Sequence, residues 1–139
     1  MQTRCHLSVL IHEQAKKYGA RGALTFRNFG SKSWKTVSWK QFSLRVMQVS
    51  NALIHLGVKP QESIGVFAQN CIQYLYADFG AYGVRAITIP FYATCSEQQI
   101  KYMIHDAQVR ILFVGEQEQF EKARRIFALC PLSLIHISE

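Results

Sequence analysis

The chain has 139 residues, of which 49% are hydrophobic and 18% are charged. This composition excludes a disordered or fibrous protein and is typical of one ordinary globular domain. No apolar run approaches the roughly 18 to 20 residues of a membrane-spanning helix. The first apolar segment is followed at once by charged residues, unlike a secretory signal. We therefore expect a cytoplasmic protein.

The net charge of +7 is unevenly distributed along the chain. Residues 1–60 contain ten Lys and Arg against a single acid, Glu13, whereas residues 61–139 contain six against eight acids. Aromatic residues are interleaved with the bases of the first part, a pattern shared by nucleic-acid and anionic membrane surfaces. A solvated face on a half-buried hairpin and helix explains the same pattern, and we favour that interpretation. The alternatives remain open at this stage.

The first sixty residues predict a helix, a hairpin and a longer helix. Apolar residues recur at helical spacing from Leu7 to Tyr18,. Segments 23–29 and 34–38 are rich in β-branched and aromatic residues, and a four-residue loop containing glycine joins them into a hairpin. Ser38 and Gln41 form a capping box that starts the longer helix. One apolar stripe runs along that helix, through Phe42, Val46, Val49, Leu53 and Leu56.

From residue 63 onward, short apolar runs alternate with helical patterns. Strands are predicted at 63–68, 86–89 and 110–114, and helices start near residues 72, 97 and 117,. Ser96 and Gln99 form a second capping box, at the start of the helix near residue 97. This alternation predicts βαβ units with a parallel sheet covered by helices on both faces. The predicted fold class is therefore α/β, with an N-terminal helix and β-hairpin followed by βαβαβα units.

Two helices carry more detailed expectations. Ala77, Gly80, Ala81 and Gly83 are small residues that would let one helix approach the sheet closely. In the last helix, predicted from residue 117 to 129, Phe120, Ala123 and Phe127 are expected to face inward.

The sequence contains few motifs that indicate catalysis or cofactor binding. It has no glycine-rich phosphate loop, no dinucleotide fingerprint, no Walker loop and no nucleophile elbow. The four cysteines form no C-x-x-C pair, and no histidine has further ligands at metal-binding spacing,. Glu116, Glu118 and Glu121 lie at a predicted helix N-terminus, where they would oppose the helix dipole. A role in acid–base catalysis is not needed to explain them.

One edge of the sheet is a candidate binding cleft. Tyr92 and Thr94 follow a predicted strand, and Asn70 follows the strand before it. Ligands of open α/β sheets bind at the carboxyl ends of the strands. These three side chains could line such a cleft, although ordinary loop packing would also explain them.

Taken in order, the segments resemble the start of an AMP-binding acyl-CoA synthetase of the adenylate-forming family, closest to long-chain fatty acid ligases. The resemblance covers about residues 7 to 130. It rests on the Trp34-to-Trp39 hairpin, Leu56-Gly57-Val58, the strand 63–70, the run 83–92, the segment 96–102, Asp106 and the strand 111–115.

The resemblance implies a two-step reaction in which ATP and a fatty acid form an acyl-adenylate, and coenzyme A then displaces AMP. ATP, Mg²⁺ and coenzyme A would serve the full-length enzyme, and none is expected to bind this fragment. The family's phosphate loop, adenine and magnesium motif, ribose-binding aspartate and C-terminal lysine match no position here. We therefore assign no catalytic, cofactor-binding or metal-binding residue, and expect the fragment alone to be inactive.

The domain prediction follows from the same resemblance. Residues 1–131 would form a partial N-terminal AMP-binding domain that needs the missing C-terminal part of the same chain. Residues 132–139 do not look like the next strand and resemble a translated adapter, so we predict a non-native tail. Peripheral association with the inner face of a membrane is a further expectation, and nucleic acid is not an expected partner. The alternatives are a freestanding flavodoxin-like binding module and a basic nucleic-acid-binding domain built on residues 1–60.

Overall fold

The computed structural model describes residues 6–28 and 32–127, together with the backbone of residues 133–136. All predicted helices and strands are present, with ends within one or two residues wherever they fall in this part of the chain. The elements are α1 (Leu7–Tyr18), β1 (Gly22–Asn28), β2 (Ser33–Ser38), α2 (Trp39–His55), β3 (Ser63–Phe67), α3 (Ile72–Gly83), β4 (Ile87–Phe91), α4 (Glu97–Asp106), β5 (Val109–Val114), α5 (Gln117–Phe127) and β6 (Ser133–His136). The predicted positions Phe29 to Ser31 and Ala128 to Leu129 lie outside the described residues.

The strands form two sheets. β1 and β2 pair antiparallel as the predicted hairpin. The other four strands form a parallel sheet in the order β4-β3-β5-β6. The central strands β3 and β5 are almost entirely buried, because helices cover both faces of the sheet. The predicted α/β architecture is confirmed.

Three layers of helices and sheet enclose the core. α2 and α3 cover one face, where Leu53, Ala77 and Ala81 join the buried side chains of β3 and β5. α4 and α5 cover the opposite face, where Ile100 and Ala123 belong to a second buried cluster. α1 packs outside α2 and α3. Burial of these apolar faces is the main force holding the layers together.

Both predicted capping boxes are confirmed. At the start of α2, Ser38 Oγ accepts a hydrogen bond from the Gln41 backbone N–H, and the Gln41 side chain accepts one from the Ser38 backbone N–H. Ser96 and Gln99 repeat this arrangement at the start of α4. Each box satisfies backbone donors that a helix N-terminus otherwise leaves unpaired.

The small residues of α3 face two different partners. Ala77 and Ala81 pack toward the sheet, as predicted. Gly80 and Gly83 instead lie against α2, and Ser50 Oγ on α2 donates a hydrogen bond of 2.8 Å to the Gly80 carbonyl oxygen. The prediction was wrong for these two glycines because the helical rotation of about 100° per residue turns them away from the sheet-facing alanines.

The inner face of α5 also differs from the prediction. Ala123 is fully buried, as expected, but its buried partners are Gln119 and Ile126. Phe127 is 43% exposed, so the expectation that it faces inward was wrong. Gln119, Ala123 and Ile126 are spaced i, i+4 and i+7, which keeps them on one helical face.

Residues near the end of the sequence extend the sheet. The backbone of Ser133–His136 pairs parallel with Ile111–Val114 of β5. The expectation that residues 132–139 would not continue the strand pattern was therefore wrong for these four residues. The open edge of β5 presents unpaired N–H and C=O groups, which an extended segment satisfies. A non-native origin for residues 132–139 stays a prediction.

Candidate binding cleft at the carboxyl edge of the sheet

A cleft of ≈ 400 Å³ lies where β3 and β4 end. Asn70 comes from the loop after β3, and Tyr92 and Thr94 come from the loop after β4. Gln69, beside Asn70, and Tyr74, in the first turns of α3, complete the polar part of the lining. The three side chains that the sequence predicted at this edge are therefore brought together in one cleft.

The loop after β3 is held close to the end of β5. The Gly115 backbone N–H donates a hydrogen bond of 2.9 Å to the Phe67 carbonyl oxygen. A Cβ atom at Gly115 would lie only 2.7 Å from the Ala68 Cβ, so the close approach requires glycine. This contact positions the segment that leads to Asn70.

The loop after β4 is fixed from the side of α5. The Cys95 backbone N–H donates to the Tyr92 carbonyl oxygen at 2.9 Å, which closes a tight turn. Gln119 Nε2 donates to the Ala93 carbonyl oxygen at 3.2 Å from a side chain that is only 1% exposed. Tyr92 is left 83% exposed at the mouth of the cleft. The loop backbone is therefore anchored while this aromatic ring remains accessible.

Two residues of this site, Gln119 and Tyr74, were missed by sequence reasoning. Tyr74 follows Asn70 by four residues, a spacing that places it one helical turn further on. Gln119 could have been found from its spacing, because it is a polar residue four positions before Ala123 on the buried face of α5. Its Oε1 atom is buried and has no hydrogen-bond partner among the described residues.

The Tyr74 phenol lines the cleft near the start of α3. Burial raises the pKa of Tyr74, and the nearby Asp78 carboxylate raises it further. At the other end of α3, away from the cleft, burial also raises the pKa of Tyr82, whose hydroxyl donates to Asp78 Oδ2 at 2.9 Å. The polar lining of the cleft consists of amide, hydroxyl and phenol groups. Such groups can bind and orient a ligand, but they do not form an acid–base pair.

A larger cavity of ≈ 900 Å³ opens at the opposite, amino edge of the sheet. Its charged lining includes Glu62 and Arg110, whose side chains form an ion pair of 2.5 Å. Arg110 also donates to the Gly57 carbonyl oxygen at 2.8 Å. These contacts tie the end of α2 to β5, which gives the pair a structural role. The carboxyl edge remains the better candidate because ligands of parallel sheets bind there.

Comparison with known proteins settles the family. A model of the AMP-binding enzyme family matches residues 11–138, which is most of the chain. The chain belongs to the AMP-binding enzyme family. The resemblance inferred from its sequence segments is thereby confirmed.

Curated relatives within this family are long-chain fatty acid ligases. The long-chain-fatty-acid–CoA ligase ACSBG2 of Rattus norvegicus is 27% identical over 121 residues, which is 87% of this chain. The long-chain-fatty-acid–CoA ligase heimdall of Drosophila melanogaster is 28% identical over 121 residues, or 86% of this chain. In each case the chain spans only 18% of the relative's length.

Solved structures of CoA ligases share the fold. An anthranilate CoA ligase, AuaEII, in complex with anthranoyl-AMP, superposes with a TM-score of 0.85 at 21% identity, over 96% of this chain and 25% of that one. The long-chain-fatty-acid–CoA ligase FadD1 of Archaeoglobus fulgidus gives 0.86 at 17% identity, over 97% of this chain and 28% of that one. At these identities the comparison establishes the architecture of the AMP-binding fold in this chain.

Neither a metal-binding cluster nor a membrane-spanning helix is present in the described part of the chain. Within residues 6–28 and 32–127, no group of three or more His, Cys, Asp and Glu side chains is placed to hold a metal ion. In the same ranges, no helix combines the length and apolar character needed to cross a bilayer.

The Glu62 carboxylate makes the stability of the chain depend on acid pH. The Lys59 backbone N–H hydrogen bond and then the Arg110 side chain lower the pKa of Glu62 below its ordinary value of 4.5. A lowered folded-state pKa stabilises the fold above about pH 4.5, and this contribution is lost as the pH falls through the lowered pKa. Glu62→Gln should therefore flatten the acid side of a plot of unfolding midpoint against pH. If the unfolding midpoint fell equally with acid pH in the parent and in Glu62→Gln, this role would be contradicted.

Proposed function

We propose that this chain is part of an ATP-dependent acyl-CoA ligase whose substrate is a long-chain fatty acid. The observation that carries the proposal is the AMP-binding family match across residues 11–138, together with curated relatives named as long-chain-fatty-acid–CoA ligases. The enzyme would join the fatty acid to AMP with release of pyrophosphate. Coenzyme A would then attack the acyl-adenylate to give the thioester and AMP.

Within that enzyme, the described residues would support the site and supply one of its walls. The parallel sheet provides rigid strand ends, and the two anchored loops hold Asn70, Tyr92 and Thr94 at its carboxyl edge. Neutral amide and hydroxyl groups of this kind orient a polar ligand. The phosphate-binding and magnesium-binding groups would come from the remainder of the longer protein.

The domain assignment belongs to the same proposal. Residues 1–131 would be the amino-terminal part of the large AMP-binding domain, and residues 132–139 a non-native tail. On this assignment, the chain would lack the groups that contact the nucleotide phosphates. We therefore expect the 139-residue chain alone to show no fatty-acid-dependent exchange between ATP and pyrophosphate.

The longer reading frame provides the decisive test. The source transcript would be sequenced past the codon of Pro131, and the complete protein expressed and assayed for ATP–pyrophosphate exchange with short-, medium- and long-chain acids. Exchange that depends on a long-chain acid supports the proposal. A complete protein that is folded but exchanges with no carboxylic acid would overturn it, and a preference for short acids would overturn the substrate assignment.

The 139-residue chain serves as the matched control in that assay. Exchange by this chain at the rate of the complete protein would show that the residues beyond it are dispensable. The two alternatives drawn from the sequence, a flavodoxin-like module and a basic nucleic-acid-binding domain, are not favoured by the family match.

A further inference from the structure

A glutamine is buried in the apolar layer between α5 and the sheet. Gln119 is 1% exposed and is the only fully buried polar side chain among the described residues. It lies on the helical face that also carries Ala123 and Ile126, and both of these belong to the hydrophobic cluster beneath α4 and α5. Burial of an amide is unfavourable unless its hydrogen-bonding groups find partners. A glutamine at this position therefore needs an explanation.

The amide of Gln119 is only partly hydrogen-bonded. Its Nε2 atom donates to the Ala93 carbonyl oxygen at 3.2 Å, whereas its Oε1 atom is buried and has no partner among the described residues. A buried acceptor without a partner destabilises a fold, and an apolar side chain of similar length would not have this effect. Residues that break a packing rule in this way are expected where function requires them. The contact with Ala93 is the feature that can account for a glutamine here.

Ala93 lies between two residues of the candidate cleft. Tyr92 and Thr94 are both exposed and both line the cleft. The Cys95 backbone N–H closes this loop into a tight turn by donating to the Tyr92 carbonyl oxygen at 2.9 Å. A contact at the middle of so short a turn fixes the residues on either side of it. The hydrogen bond from Gln119 therefore controls where both side chains lie.

We propose that Gln119 is a positioning residue for the cleft, and that its hydrogen bond to Ala93 holds Tyr92 and Thr94 where they contact substrate. Gln119 does not itself line the cleft, so it acts through the loop and contacts no ligand. The hold on the loop can be measured on the 139-residue chain without substrate. The effect on substrate affinity rests on the proposed function and is measured on the complete enzyme.

Amide hydrogen exchange of the 139-residue chain tests the hold on the loop. Gln119→Met keeps a side chain of similar length but removes the donor. The Cys95 N–H should exchange about tenfold faster in this variant, because one hydrogen bond of ordinary strength is lost beside the turn. The Leu112 N–H, in the centre of β5, should exchange no faster than in the parent. Gln117→Met is the matched control, since it makes the same change at an exposed position of α5, and it should leave Cys95 exchange unchanged.

The unfolding midpoint separates positioning from a general structural role. Gln119→Met also removes the buried Oε1 atom that has no partner among the described residues, so this variant should unfold at the temperature of the parent or above it. A midpoint lowered by more than about 5 °C would show that the whole fold depends on Gln119, and the positioning role would be rejected. Unchanged Cys95 exchange in the folded variant would reject it as well.

Gln119→Glu tests whether the donor itself matters. A protonated carboxyl group can donate to the Ala93 carbonyl oxygen, whereas a carboxylate can only accept. Burial raises the pKa of a carboxyl group, so the new side chain should change protonation within the range in which exchange is measured. The ratio of Cys95 exchange rates, variant over parent, should be near one at acid pH and should rise as the pH increases. A ratio that does not change with pH would contradict the role of the donor.

The charged groups of the two neighbouring helices are common to the parent and the variant. They include the ion pair between Arg125 and Glu97, which joins α5 to α4 at 2.6 Å, and the side chains of Glu118, Glu121 and Lys122 on α5. Direct effects of their titration on the loop cancel in the ratio of exchange rates. Their fields change only the pH at which that ratio rises.

The complete enzyme tests the consequence for substrate. When the parent is active, Gln119→Met should raise the KM for one of the three substrates about tenfold, with kcat and the other two KM values within about twofold of the parent. This pattern is expected because a displaced loop weakens one contact region and leaves the reacting groups in place. Unchanged KM values for all three substrates, or an equal rise in all three, would overturn the positioning role.

Failure of the proposed function would look different. A folded, complete parent that is inactive with every carboxylic acid would overturn the ligase assignment, and with it the effect of Gln119 on substrate affinity. The exchange rates of the 139-residue chain would still decide whether Gln119 holds the loop.

Discussion

Phe67→Ala is expected to destabilise this chain by about 3–5 kcal/mol, the usual cost of truncating a buried phenylalanine. Phe67 ends β3 and is completely buried. Its ring lies 6.3 Å from that of Phe91, centroid to centroid, inside the cluster between the sheet and helices α4 and α5. Truncation would leave a cavity that the surrounding strands cannot close. Because small domains are stable by only about 5–15 kcal/mol, this loss would remove a large fraction of the free energy of unfolding.

Phe127→Ala is the matched control for that experiment. It removes the same atoms from a residue on α5 that is 43% exposed. Its effect should be far smaller, within about 0.5 kcal/mol if the site behaves as a surface position. Free energies of unfolding from urea titrations would be compared for the parent and both variants. Equal losses of unfolding free energy in the two variants would contradict the difference in burial between the two rings. That result would support the inward orientation that the sequence predicted for Phe127.

In Gly80→Ala, helix propensity and tertiary packing are expected to change the free energy of unfolding in opposite directions. Helix propensity alone favours alanine over glycine by about 1 kcal/mol. In the folded chain, the new Cβ would lie 2.5 Å from Val49 Cγ1 and 2.7 Å from Val49 Cβ. Carbon atoms pack at about 3.5–4.0 Å, so α3 would have to move away from α2. We expect a net loss of about 1–3 kcal/mol, measured by urea denaturation.

The double variant G80A/V49A separates this clash from other effects. Alanine at position 49 removes the contact with Cγ1 at 2.5 Å but keeps Cβ, 2.7 Å from the methyl group added at position 80, so it relieves part of the clash. Gly80→Ala should therefore cost less in the Val49→Ala background than in the parent chain, with a coupling energy of about 0.5–3 kcal/mol between the two positions. A Gly80→Ala chain that is more stable than the parent would show that the helices are not in close contact there.

The candidate cleft was only partly accessible to sequence reasoning. Asn70, Tyr92 and Thr94 could be placed at one edge because the carboxyl ends of parallel strands meet there. The Gln119 hydrogen bond to the Ala93 carbonyl oxygen could not be foreseen, since it joins residues separated by 26 positions. Such a bond depends on how α5 packs beside the loop after β4. Periodicity within one segment contains no information about that packing.

The sequence by itself determined the succession of helices and strands, both capping boxes and the family resemblance. These features depend on signals among residues a few positions apart, or on the order of such segments. Only the tertiary structure decided that Gly80 faces α2, that Phe127 is exposed and that residues 133–136 pair with β5. The Ser50 hydrogen bond to Gly80 spans 30 positions. Contacts of this range are set by the packing of whole layers, which chooses among the several faces that each helix could bury.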